Sequence, residues 1–257
     1  MFHLVAPSPW PLVSSLGGFM LTTGFVLWVN KGFLGFTLML TGLCTISCVF
    51  FTWFRDIIRE ALLENAHTIT VQKGLRLGVI LFIVSEVMFF FAFFWAFFHS
   101  SFSPTYALGG VWPPKAVTTI STFSLPLTNT FILLSSGASL TWSHNALILQ
   151  DKKHTILSLT ITIFLACFFT CLQLFEYFNA PFCISDGIYG SCFYLTTGFH
   201  GFHVFVGTIG LLISLYRISA NHFSTNQHIG FESAIWYWHF VDVVWLFLFA
   251  CVYWWSS

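Results

Sequence analysis

VQKGLRLGVILFIVSEVMFFFAFFWAFFHSS, residues 71–101, is the stretch that settles the class of fold. From 77 to 98 its only titratable side chain is Glu86. A helix needs about 20 mainly apolar residues to cross roughly 30 Å of hydrocarbon, and this run meets that length. It lacks the polar/apolar alternation of a barrel strand, and in hydrocarbon every backbone amide must be bonded within the protein. The run is therefore read as a transmembrane helix.

Working outward, six more apolar segments follow the same pattern, at roughly 12–29, 32–54, 123–149, 155–175, 187–216 and 235–255. The expected fold is all-α, a polytopic membrane protein of seven transmembrane helices. Composition agrees: 57% of the 257 residues are hydrophobic and 7% charged, where soluble domains carry about 25% charged residues. Seven spans with short connections leave no length for a separate soluble domain. Pro7, Pro9 and Pro11 precede the first span, Pro126 lies near the start of the fourth, and Pro113, Pro114 and Pro181 fall in connections. Trp10, Trp28, Trp53, Trp142, Trp254 and Trp255 lie near span ends, where the amphipathic indole prefers to sit.

Charge placement orients the chain. Seven of the nine basic residues (Arg55, Arg59, Lys73, Arg76, Lys152, Lys153, Arg217) flank connections after even-numbered spans, and only Lys31 and Lys115 fall on the other side. The positive-inside rule puts the seven, and the N-terminus with them, on the cytoplasm-like or matrix face, with the C-terminus opposite. Nine basic and nine acidic residues balance, with no basic run to attract nucleic acid. The N-terminus carries neither the charged start of a secretory signal nor an arginine-rich amphipathic pattern, so entry without a cleaved leader is expected. Most of the seven cysteines sit in or beside apolar runs and read as small hydrophobes, not as a disulfide framework.

Glu86 is the least expected residue, because a charge at the centre of a span costs several kcal/mol. Desolvation favours the neutral acid, unless a buried cation or lipid headgroup pairs with it. The functional reading is a proton-handling or lipid-contacting carboxyl; the bland one is a protonated glutamate bonded inside the bundle. A second constellation is His200 and His203 in TTGFHGFHV with His239 and Asp242 in WYWHFVDVVW, each pair three residues apart on one helix face. A di-metal site would need more carboxylates, so interhelical hydrogen bonds between the sixth and seventh spans are the expectation, and no metal. From Arg55 to Arg76 the charges concentrate, with Arg55/Arg59 and Asp56/Glu60 each four apart. Either this is a solvated, topology-setting loop or it meets phospholipid headgroups or a partner subunit. No CxxCH, GxGxxG, P-loop or hydrolytic triad pattern is present, so no self-sufficient active site is expected.

The same residues carry a family resemblance. The 71–101 stretch, LGGVWPP (108–114), LPLTNTFILLSSGASLTWSHN (125–145), ISDGIYGSCFYLTTGFHGFHV (184–204) and ESAIWYWHFVDVVWLFLF (232–249) resemble subunit III of the haem-copper cytochrome c oxidases, and PSPWPL (7–12) extends the match to the N-terminus. The short N-terminus is closer to the mitochondrial form. The resemblance implies a two-helix unit (1–66) and a five-helix unit (67–257) separated by a cleft filled with phospholipid. It implies attachment to subunit I as the main contact, with subunit II and smaller subunits nearby. It places haem and copper in the partner subunits, none here, and brings cytochrome c in only through the complex. Glu86 matches the family's membrane carboxyl, and Arg59, Glu60, His67, His203 and Arg217 match lipid-cleft positions. The implied function is non-catalytic support of a proton-pumping terminal oxidase in the mitochondrial inner membrane: stabilising subunit I, holding lipid and sustaining proton uptake. The alternatives are subunit III of a quinol oxidase, a stand-alone proton channel, for which Glu86 alone is a poor wire, and a di-metal membrane oxidase.

Overall fold

A computed structural model describes residues 3–106, 109–115 and 117–256. Among these residues there are seven long helices and no strands: α1 (Trp10–Val29), α2 (Gly35–Leu62), α3 (Ile69–Phe102), α4 (Leu125–Ile148), α5 (Lys152–Asn179), α6 (Ile188–Ser219) and α7 (Ile229–Leu248), the last continued by a π-helical turn at Phe249–Trp254. The chain is thus the all-α polytopic membrane protein that its apolar runs announce. Several helices outrun those apolar segments. α2 continues through Arg55, Asp56, Arg59 and Glu60, and α3 starts ahead of Lys73 and Arg76. Once nucleated, a helix costs little to extend into the headgroup zone, where charged side chains are solvated. Six helices are long and apolar enough to cross a membrane on length and composition alone. The other, α4, is of similar length but carries Asn129, Thr130, Ser136, Ser139, Thr141 and Ser143, which lower its hydropathy.

The chain divides into two compact units, Met1–Gly74 and Leu75–Ser257. In the first, α1 and α2 form an antiparallel hairpin. Lys31 takes up the left-handed φ of 59° at its turn, and the Gly32 N–H donates to Leu27 O at 2.7 Å. The hairpin seam is made of glycine: Gly17 and Gly24 are the buried residues of α1, and Gly35 and Gly42 lead those of α2. An added Cβ at Gly24 would stand 2.3 Å from Met39 N, and one at Gly42 would stand 2.4 Å from Leu21 N. In lipid, where burial of apolar area between helices brings little gain, such close backbone approach supplies the dispersion energy that holds helices together. The bulky residues point outward instead, Phe19 being 67% exposed and Phe51 74%.

In the second unit, α4 to α7 and the greater part of α3 surround one core. Its largest fully buried side chains are Trp238, Trp245, Phe97, Phe169, Phe193 and Phe231. The polar residues of α4 have a purpose here. Trp238 Nε1–H donates to Ser136 Oγ and Trp245 Nε1–H to Thr130 Oγ1, each at 2.9 Å. Ser139 and Thr162 bond across α4 and α5 at 2.8 Å. Buried indoles need such acceptors, so a span of modest hydropathy serves as the polar spine of this bundle. All seven cysteines are free; six lie on helices and Cys183 lies in the connection between α5 and α6.

Candidate functional site

Glu86 on α3 and His203 on α6 meet inside the second unit, with Oε2 and Nε2 2.7 Å apart. Their side chains are 22% and 8% exposed, so the pair is open at the carboxyl and closed at the imidazole. The other ring nitrogen, Nδ1, lies 2.6 Å from Phe199 O. A carbonyl can only accept, so Nδ1 carries hydrogen and the Nε2 to Oε2 contact holds one proton. Two arrangements satisfy it: a carboxylic acid donating to neutral imidazole, or an imidazolium donating to carboxylate. Both are neutral overall, which makes the pair tolerable where a single charge is not. Aromatic rings enclose the imidazole: Phe90 edge-on at 5.0 Å and Tyr237 stacked at 6.2 Å.

The other members of the histidine constellation lie apart. His200 on α6 is buried and reaches α7 through Val241 O, 3.2 Å from Nε2, while its Nδ1 has no hydrogen-bond partner. His239 and Asp242 stand 3.6 Å apart on α7 and face α4, where Thr141 Oγ1 lies 3.5 Å from His239 Nε2. Gly137 makes room for the Asp242 carboxylate, since a Cβ there would stand 2.5 Å from Oδ2. His200, the His239/Asp242 pair and His203 therefore serve three separate contacts and share no common centre.

In the first unit, Glu60 Oε2 lies 3.4 Å from His3 Nε2, and the rings of His3 and His67 meet edge-on at 6.2 Å. Burial pushes the His67 imidazole below its ordinary pKa, with the Glu60 charge opposing. Trp10 Nε1–H donates to Asp56 Oδ2 at 2.8 Å and ties the start of α1 to the charged end of α2. Arg59 is exposed on the same helix. In the second unit, Arg217, in the last turn of α6, lays its guanidinium 4.1 Å over the Phe223 ring. Its Nε is buried without a hydrogen-bond partner.

Two polar groups escape sequence reasoning. Glu176, 2% exposed, accepts from the Tyr253 hydroxyl at 2.6 Å and from Gln173 Nε2–H at 3.2 Å, with its second oxygen unpartnered. His144, His228, Glu232 and Arg76 form a polar node joining α3, α4 and α7. Only the His228/Glu232 spacing of four residues is visible in one dimension.

Comparison with known proteins places this architecture. The family described as "Cytochrome c oxidase subunit III" matches residues 1–257. The chain belongs to the cytochrome c oxidase subunit III family. Curated relatives described as "Cytochrome c oxidase subunit 3" include one from Pylaiella littoralis, 59% identical over 99% of this chain and 94% of the relative. Others come from Prototheca wickerhamii, 55% identical over 100% and 98%, and from Bos taurus, 51% identical over 100% and 97%. As a subunit III, the chain is one component of a multisubunit respiratory oxidoreductase.

Proposed function

We propose that this subunit III is a supporting, non-catalytic chain that stabilises subunit I, holds structural phospholipid and sustains proton uptake. Haem and copper lie in the partner subunits, and cytochrome c is engaged only through the complex. Arg59, Glu60 and His67 in the first unit, and Glu86, His203 and Arg217 in the second, are the residues assigned to lipid. The observation that carries this reading is Arg217. A partly buried guanidinium in the last turn of a spanning helix favours an anionic oxygen at headgroup depth against its accessible edge, and a phospholipid phosphate supplies one. Phe223 beneath it keeps the planar cation in place.

Replacing Arg217 by Gln in the assembled complex should remove at least one tightly bound phospholipid, measured by lipid mass spectrometry after mild-detergent isolation. An unchanged lipid complement would sink the assignment.

The proposed setting is the mitochondrial inner membrane, with the N-terminus in the matrix and the C-terminus in the intermembrane space. The seven-to-two asymmetry of basic residues supports it. An impermeant thiol reagent should label a Lys73→Cys variant from the matrix side, and native Cys183, exposed in the connection between α5 and α6, from the opposite side. Labelling of both from one side would overturn the topology.

A further inference from the structure

We infer that His144, His228 and Glu232 form a three-ligand site for a divalent transition metal of the zinc class. His144 comes from the end of α4, His228 from the residue before α7 and Glu232 from its first turn. One ligand atom from each lies within 4.8 Å of the others. His144 Nε2 is 3.3 Å from His228 Nε2, and His228 Nε2 is 3.4 Å from Glu232 Oε1. A tetrahedral zinc with donors at about 2.0–2.1 Å holds neighbouring donors about 3.3–3.4 Å apart. The three side chains thus already span edges of the required polyhedron, and the fourth position is left for water.

The surroundings prepare the ligands. His228 Nδ1 lies 3.0 Å from Ser224 O, so that nitrogen keeps its hydrogen and Nε2 presents a lone pair in the neutral ring. This is the outer-shell arrangement that orients metal-binding histidines. That lone pair lies between His144 Nε2, 3.3 Å away, and the Glu232 carboxylate, 3.4 Å away, so a metal ion would take the place of the proton now shared by the two imidazoles. Arg76 donates to both oxygens of Glu232, at 2.8 and 3.2 Å. It fixes the carboxylate plane while leaving lone pairs for a metal, because an ionised carboxylate offers about four. His228 is buried and the other two are partly buried, unlike the exposed His154/Asp151 pair, 2.5 Å apart, at the start of α5.

The test is equilibrium dialysis of the intact detergent-solubilised complex against radioactive zinc(II). Complexes carrying His144→Gln, His228→Gln or Glu232→Gln should each lose one zinc equivalent, or bind it about tenfold or more weakly. His154→Gln should leave binding unchanged. Assembled variants that keep the wild-type stoichiometry and affinity would show that a proton, and no metal, bridges His144 and His228. Where a variant fails to assemble, the wild-type complex decides. Copper(II) with ascorbate should oxidise His144 or His228 selectively, as mapped by peptide mass spectrometry, and excess zinc(II) should protect them. Oxidation spread evenly over the histidines, or untouched by zinc, would overturn the site.

Discussion

Replacing Gly24 by Val is expected to prevent α1 from packing on α2, so that the subunit fails to accumulate in the assembled oxidase. The atoms in the way are backbone, Met39 N at 2.3 Å and Met39 Cα at 2.7 Å from the Cβ position, and no rotamer change can move them aside. The helices must part along the seam. The cost exceeds the roughly 1–3 kcal/mol usual for overpacking a core with an extra methylene, because the whole close-packed interface is lost. Gly42→Val should behave alike. Gly18→Val is the control: nothing lies within 4 Å of its Cβ position, and the side chain would point away from the seam. Blue-native electrophoresis with immunodetection compares the variants. Equal assembly of Gly24→Val and Gly18→Val would show that the glycine contact does not hold the hairpin.

That hairpin shows how far the sequence can be read. Runs of apolar residues reveal each helix, since hydrocarbon thickness imposes its own length, but they carry no record of which face turns inward. Within a membrane both faces are apolar, so the seam is marked by small residues and not by hydrophobic periodicity. Gly17 and Gly24, like Gly35 and Gly42, are seven apart, a signal that becomes meaningful only once the two helices are placed side by side. Glu86 stood out because a carboxyl in mid-span is rare. Its partner did not, since His203 is 117 residues away and shares a face with His200, which points elsewhere. Nothing in the sequence marks Glu176, because the apolar run stops near residue 175 and a charge at that point reads as headgroup-exposed. α5 continues to Asn179, and Tyr253, brought over by the turn after α7, buries the carboxyl. The polar node of His144 and His228 joins residues 84 apart, beyond the reach of any local pattern.

Glu86→Gln is expected to abolish modification of the subunit by a hydrophobic carbodiimide while leaving assembly and oxygen reduction intact. The reagent attacks a protonated acid reached from the apolar phase. The Glu86 carboxyl is partly open, and its hydrogen bond to His203 keeps a proton available in one of the two neutral arrangements. Glutamine retains the geometry, because its amide N–H can donate to His203 Nε2 where the acid did, with Nδ1 still committed to Phe199 O. The titratable group alone is removed. His203→Gln separates the two arrangements further. Without the imidazole, the arrangement that puts the proton on His203 is gone, so labelling should persist or become faster. Mass spectrometry of the labelled subunit and oxygen consumption of the purified complex supply the readings. Loss of oxygen reduction in a fully assembled Glu86→Gln complex would put the residue on an obligatory catalytic path. A wild-type carboxyl that resists the reagent, joined by one that becomes reactive in His203→Gln, would assign the resting pair to carboxylate and imidazolium.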